Sequence, residues 1–293
     1  MKVAGFTIIR NAIKFDYPIV EAIRSILPLC DHFFIGLGQS EDGTEDMLKQ
    51  SFLKENNITV LPSVWDDSLR TGGLVLSVET NKVFDKIPAE YDWCFYIQSD
   101  ECVHENDLEK IYNSMKKHRD DKRVQGLLFN YLHFYGSYDY VGDSRRWYRK
   151  EIRIIRNDKH IRSYKDAQGF RTADNKKLRV AETGAYIYHY GWVKPPERQQ
   201  EKQKHFHKMW HDDEWMKKNI PQQNEFDYSK IDYLNVFSGT HPEVMKERIR
   251  QMNWKFEYDP KRTQVSLKNR ILYWIEKKTG WRPGENKNYV VVE

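Results

Sequence analysis

Three features of the sequence predict an α/β fold with a mostly parallel sheet flanked by helices. Short apolar runs alternate with stretches of helical periodicity through the first half of the chain. The runs are continuous rather than alternating, which marks strands buried on both faces. The residues that follow them are polar and rich in carboxylates, at the strand ends where such sheets bind ligands.

The elements follow in order. Val3 to Ile9 reads as a first buried strand, and Pro18 opens a helix with Ile19, Ala22, Ile23, Ile26 and Leu27 on one side. Phe33 to Leu37 is a second strand, after which Thr44 is placed to cap a helix whose first turn carries Glu45 and Asp46. Ile58 to Val64 is the third strand, Leu74 to Lys86 a helix stopped near Pro88, and Trp93 to Ile97 the fourth strand. Leu108, Ile111 and Met115 mark one face of a further helix. Beyond residue 120 the pattern changes to strands at Leu127–Phe134, Ile152–Ile155 and Ala185–His189, separated by aromatic and basic loops. Pro195-Pro196 breaks the chain before a polar helix from about Glu197 to Lys218. Thr240-His241-Pro242-Glu243 has the form of a capping box with Pro at the first helical position, and a last helix spans Leu267 to Lys278. The expected organisation is one α/β domain over 1–195 and a helical extension over 196–293 packed on it.

Composition narrows the class. Nine Trp, 18 Tyr and 14 Phe in 293 residues supply a sizeable core and argue against disorder. A net charge of +5, from 48 basic and 43 acidic interleaved residues, lacks the clustering of a nucleic-acid-binding stripe. Cys30, Cys94 and Cys102 are odd in number without metal spacing, which predicts buried free thiols and a reducing compartment. Met1 to Phe6 is too short an apolar run for a signal peptide, and no stretch is long enough to span a bilayer. The expectation is a cytoplasmic protein, with peripheral contact to the inner face of the membrane and a homodimer both compatible with the sequence.

Tyr96-Ile97-Gln98-Ser99-Asp100-Glu101 carries two adjacent carboxylates off an apolar strand at the ligand-binding edge. A hard ion such as Mg²⁺ or Mn²⁺ takes one or two protein carboxylates and completes its shell with phosphate oxygens and water. The first strand ends in Arg10-Asn11, the second is followed by Ser40-Glu41-Asp42-Gly43-Thr44, and the fourth ends in this Q-S-D-E segment. In that order and spacing, residues 1 to 195 resemble family-two glycosyltransferases with the GT-A fold. The resemblance implies a donor-base contact for Asp42 and a metal-binding role for Asp100. Gln98 stands where the family has the first Asp of its D-x-D motif, which removes a charge and places the burden on Asp100.

Tyr188-His189-Tyr190-Gly191-Trp192 resembles the late H-Y-G segment of related transferases, implying that His189 closes onto the metal or diphosphate. Arg153-Ile154-Ile155-Arg156 and the acidic loop behind it resemble the acceptor-facing part of the family, implying Asp166 as the first candidate base and Glu182 as the second. Asp67 and Arg70 follow the third strand, where base or ribose contacts are expected, and Arg10 and Arg70 suit diphosphate oxygens. The implied reaction is a metal-assisted, inverting transfer of a sugar from a UDP- or GDP-linked donor to a glycan or lipid-linked acceptor, as in polysaccharide biosynthesis.

Other readings attach to particular segments. Gln98 and the basic-aromatic run Arg145 to Arg149 favour a non-catalytic nucleotide- or glycan-binding module, or a nucleic-acid binder. His207 and His211 lie four apart, the spacing of a metal pair, without the intervening acid of a zinc protease. The last helix sets Leu267, Ile271, Leu272, Trp274 and Ile275 against Lys268, Arg270, Lys277 and Lys278, a pattern that suits a membrane surface, and is expected to pack onto the main domain instead.

Overall fold

The computed structural model describes residues 1–219, 223–263 and 265–292. The first half runs β1 (Val3–Ile9), α1 (Ile19–Ile26), β2 (His32–Gly38), α2 (Thr44–Ser51), β3 (Ile58–Ser63), α3 (Leu74–Lys86), β4 (Trp93–Tyr96), β5 (Glu101–Val103) and α4 (Leu108–His118). Then come β6 (Gly126–Tyr135), β7 (Tyr140–Gly142), β8 (Lys150–Arg156), β9 (Ile161–Tyr164), β10 (Gly169–Thr172) and β11 (Leu178–Trp192). The C-terminal part holds α5 (Pro196–Lys208), α6 (Asp213–Asn219), β12 (Leu234–Val236), α7 (Lys246–Arg250), α8 (Leu267–Thr279) and β13 (Tyr289–Val291).

The fold is α/β. Strands β3, β2, β1 and β4 lie side by side and parallel, and β8 and β6 continue the sheet in antiparallel fashion. The long β11 runs parallel to β6 and carries β5 and β13 beside it, while β9 and β10 form a separate hairpin.

The continuous apolar runs are explained by two cores. Val3, Ile9, Phe33, Ile35, Trp93 and Phe95 face α1 and α4 on one side of the sheet. Ala4, Phe6, Ile8, Phe34, Cys94 and Tyr96 face α3 and the β9–β10 hairpin on the other. Strands β1, β2 and β4 therefore have no solvent face for polar residues to occupy, whereas β3, at the edge of the sheet, leaves Val60 exposed. On α1, Ile19, Ala22, Ile23 and Ile26 recur at helical spacing and are all fully buried. The three cysteines are buried and free.

Several local expectations are corrected. Thr44 does not cap α2 from outside but is its first residue; Asp42 takes the Thr44 N–H, and Gly43 supplies the left-handed turn (φ 80°). The long polar helix is two helices, because the Asp212 carboxylate takes the Trp215 N–H at 2.8 Å and starts α6 afresh. Thr240 does not close a capping box; its hydroxyl meets His104 Nε2 at 2.9 Å, and the chain enters a 3₁₀ turn at Glu243–Met245 before α7. The segment beyond 195 is not helical alone: β12 pairs with β7 and β13 with β11. Among the described residues no helix is long and apolar enough to cross a membrane.

Candidate active site

A cleft of about 500 Å³ opens beyond the carboxyl ends of β1 and β4. Arg10 follows β1, Gln98, Ser99 and Asp100 follow β4, and His189 and Trp192 come from the end of β11. The β9–β10 turn brings Asp166, and α5 closes the cleft with Lys202 and His205. Of the residues singled out in the sequence, Arg10, Gln98, Asp100, Asp166 and His189 meet here, with Arg146, Tyr148, Trp192 and His207 also on the lining.

Asp100 is buried and lies 3.0 Å from Lys202 Nζ, which also donates to the Gly191 carbonyl at 2.9 Å. Burial alone would raise its pKa, but the Lys202 ammonium beside it outweighs that and holds the carboxyl well below the usual range. It is a carboxylate.

A hydrogen-bond chain orients His189. His133 Nε2 lies 2.9 Å from the Tyr148 carbonyl, which only accepts, so that nitrogen carries the proton. His133 Nδ1 then accepts from His189 Nδ1 at 3.1 Å, an assignment that leaves a lone pair on His189 Nε2. That atom lies 3.8 Å from Asp100 Oδ1. Burial lowers the pKa of both imidazoles, so both are neutral. Gly191 permits the convergence, since a Cβ there would lie 2.7 Å from both Asp100 Oδ2 and His189 Nε2.

A carboxylate and an oriented imidazole lone pair fit a divalent ion that draws its remaining ligands from a diphosphate. Among the described residues no group of three or more His, Cys, Asp or Glu side chains converges.

The neighbouring carboxylate has a different task. Glu101 is fully buried and accepts from Arg153 Nε and Nη2, both at 2.8 Å, and from the Tyr131 hydroxyl at 2.7 Å. Arg153, also fully buried, donates onward to the Gln168 carbonyl at 2.7 Å, and Gln98 Nε2 donates to the Ala167 carbonyl at 3.1 Å. These two bonds clamp the loop that carries Asp166. In it, Lys165 (φ 55°) and Ala167 (φ 59°) both adopt the left-handed conformation that non-glycine residues disfavour. Burial raises the Asp166 pKa, with backbone hydrogen bonds and the nearby Lys165 opposing.

The remaining candidates stand elsewhere. Glu182 points outward from β11 and pairs with Lys150 at 2.6 Å, so it does not reach the cleft. Asp42 spends its oxygens on Lys14 N–H (2.6 Å) and on the Thr44 N–H and hydroxyl, which pins two loops together and leaves it outside the cleft lining. Asn11 ties the end of β1 to the same loop, its N–H donating to Ser40 Oγ and its Oδ1 accepting from Glu41 N–H, each at 3.0 Å. Arg70 holds the Lys208 carbonyl at 2.8 Å and Asp213 at 2.9 Å, tying the loop before α3 to the end of α5 and the start of α6. Asp67 is exposed and forms a bidentate pair with Arg10, at 2.6 and 3.3 Å. His211 stacks on Trp215 at 3.5 Å rather than forming a metal pair with His207.

Sequence reasoning missed Lys202 and His133, and gave Arg146 and Tyr148 only as part of a basic-aromatic run. Lys202 sits in a helix with Lys204 and Lys208, and nothing in the local sequence separates the buried lysine from its solvated neighbours. The basic-aromatic run is mostly absorbed internally: Arg145 meets the Pro283 carbonyl, Arg149 pairs with Glu285 at 2.7 Å and Trp147 is buried, while Arg146 and Tyr148 reach the cleft.

No family model matches the chain, and no curated protein sequence matches it. Among solved structures, S. aureus TarS is similar at 15% identity and a TM-score of 0.40, over 70% of this chain and 38% of the TarS chain. The TarS 1–349 structure in complex with UDP is similar at 15% identity and a TM-score of 0.40, over 76% of this chain and 68% of that one. Glucosyl-3-phosphoglycerate synthase from Mycobacterium tuberculosis, in complex with Mn²⁺, UDP and phosphoglyceric acid, is similar at 15% identity and a TM-score of 0.31. That likeness covers 45% of this chain and 43% of the synthase.

Proposed function

We propose that the chain is a glycosyltransferase that moves a sugar from a nucleoside-diphosphate donor to an acceptor hydroxyl with inversion. The observation that carries this reading is the convergence of the Asp100–His189–Lys202 cluster and the buried Asp166 in one cleft at the strand ends.

The donor's nucleoside fits the β1 side of the cleft. Phe15 and His205 stack there at 4.5 Å, and Trp65, whose buried Nε1 has no hydrogen-bond partner among the described residues, lines the same wall. Burial lowers the His205 pKa to about 4, so that ring is a neutral surface for a planar base. The diphosphate then lies toward Asp100, with Lys202 donating to its oxygens. Mn²⁺ or Mg²⁺ bound by Asp100 and His189 supplies further charge for the leaving group. Asp166 takes the proton of the acceptor hydroxyl as that oxygen bonds to the anomeric carbon, and the bond from that carbon to the diphosphate oxygen breaks on the opposite face. His133 holds the His189 ring, and the Glu101–Arg153 pair holds the Asp166 loop.

The test is a thermal-shift series with UDP and GDP, each with and without Mn²⁺, on wild-type protein and Asp100→Ala. The expected result is a rise in Tm for one nucleotide that depends on the ion and disappears in the variant. A protein that no nucleotide stabilises under any of these conditions overturns the reading.

A further inference from the structure

Helix α8 carries apolar residues on both its inner and its outer side. Leu267, Ile271 and Trp274 fall at helical spacing on one stripe, yet they are 74%, 52% and 62% exposed, and Trp281 just beyond the helix is 65% exposed. The face against the protein is mixed, with Leu272 and Ile275 half-buried beside Tyr273 and Glu276. Tyr273 donates to Asp143 at 2.6 Å and stacks on Tyr233, while Glu276 lies 3.4 Å from Arg145 and 3.3 Å from Arg282. No residue of α8 is buried. These contacts fix the inner face and leave the Leu267–Ile271–Trp274 stripe toward the outside.

We infer that α8 is a docking face for an anionic lipid surface. Lys278 continues the apolar stripe and Lys268 and Arg270 flank it, and none of the three has an ion-pair partner among the described residues. The one acid of the helix, Glu276, faces inward. An apolar stripe bearing Trp and edged by Lys and Arg matches the acyl boundary and headgroup charge of an anionic leaflet. A second copy of the chain is disfavoured by the same charges, because a two-fold contact along this stripe sets Lys and Arg against Lys and Arg. The anchor of α8, Asp143 and Arg145, lies on the segment that carries cleft residues Arg146 and Tyr148.

The experiment is co-sedimentation of the full chain with vesicles of phosphatidylcholine alone or mixed with phosphatidylglycerol, at low and high salt. Wild-type protein is expected to pellet with the anionic vesicles only, and less at high salt. Ile271→Glu/Trp274→Glu and Lys268→Glu/Arg270→Glu/Lys278→Glu each change only exposed side chains. Each is expected to weaken binding by at least about tenfold while leaving the circular dichroism unchanged. Equal binding to neutral vesicles, no binding to anionic ones, or unchanged binding by the folded variants overturns the inference. So does a wild-type dimer in sedimentation velocity that Ile271→Glu/Trp274→Glu converts to monomer, since the stripe then belongs to a second copy. Nucleotide binding is measured separately, so failure here leaves the proposed reaction standing.

Discussion

Lys202 and Asp100 illustrate how one buried contact serves two states. In the ligand-free chain the ammonium satisfies a carboxylate that burial would otherwise penalise. On the proposed reading, an ion held by Asp100 would take the place of this ammonium, which would then be free for the diphosphate. Mn²⁺ alone is therefore expected to leave wild-type Tm unchanged, whereas in Lys202→Met, where Asp100 has lost its partner, Mn²⁺ alone raises it. Equal responses of the two proteins to the ion would remove the gating role of Lys202. Asp166 makes a second residue-scale prediction. Its pKa is raised by burial, and the base must be ionised to act, so turnover rises with pH through a value above the ordinary carboxylate range. Asp166→Asn is expected to lower kcat by about 10²–10⁴-fold and to leave nucleotide stabilisation intact. If Asp166→Asn keeps both the rate and the acid limb, the base is another group.

At the scale of elements, the Asp166 loop depends on a glycine from a different segment. Gly73 (φ 70°), just before α3, approaches so closely that a Cβ would meet the Asp166 Cβ at 2.7 Å, whereas Gly72 (φ 60°) has open space around it. Both alanine substitutions carry the conformational cost of about 1 kcal/mol, but only Gly73→Ala pushes on the base. Turnover is expected to fall at least about tenfold in Gly73→Ala, the scale on which small misplacements act, and to hold in Gly72→Ala. Similar rates in the two variants would mean the loop position does not matter. The sequence shows the elements but not this contact. Strands β1, β2 and β4 were legible because burial on both faces leaves unbroken apolar runs. The place of Asp100 in the cleft was legible because it follows such a strand, whereas His189 lies within β11, where burial alternates, and was singled out only by its H-Y-G resemblance. Short strands β5, β7, β9, β10, β12 and β13 were not, since three or four residues carry too little periodicity to read. Asp42 and Glu182 misled because a carboxylate after or within a strand looks the same whether it faces a ligand, a turn or a lysine.

Over the whole molecule, two buried carboxylates set opposite pH responses of stability. Asp100, with its depressed pKa, adds stability that is present above the unfolded carboxylate value and lost on acidification. Glu151 does the reverse. It sits behind the Asp166 loop, where a Cβ on Gly169 would meet its Oε1 at 2.5 Å, and burial raises its pKa from 4.5 to about 7, with Arg153 opposing. Between those values the folded chain binds a proton that the unfolded chain has released, so stability is full below the unfolded pKa and falls as pH rises toward 7. The interval corresponds to about 3 kcal/mol. Glu151→Gln keeps the shape and part of the hydrogen bonding while removing the titration. Its Tm is expected to exceed that of wild type by about 5 °C at alkaline pH, with the gap closing as the pH is lowered toward the ordinary carboxylate range. Arg153 is the counterweight: neutralising it leaves Glu101 buried without its ion partner and should cost about 3–5 kcal/mol. A wild-type-to-Glu151→Gln difference that does not change with pH would mean that Glu151 is ionised throughout, with Arg153 shared between the two glutamates.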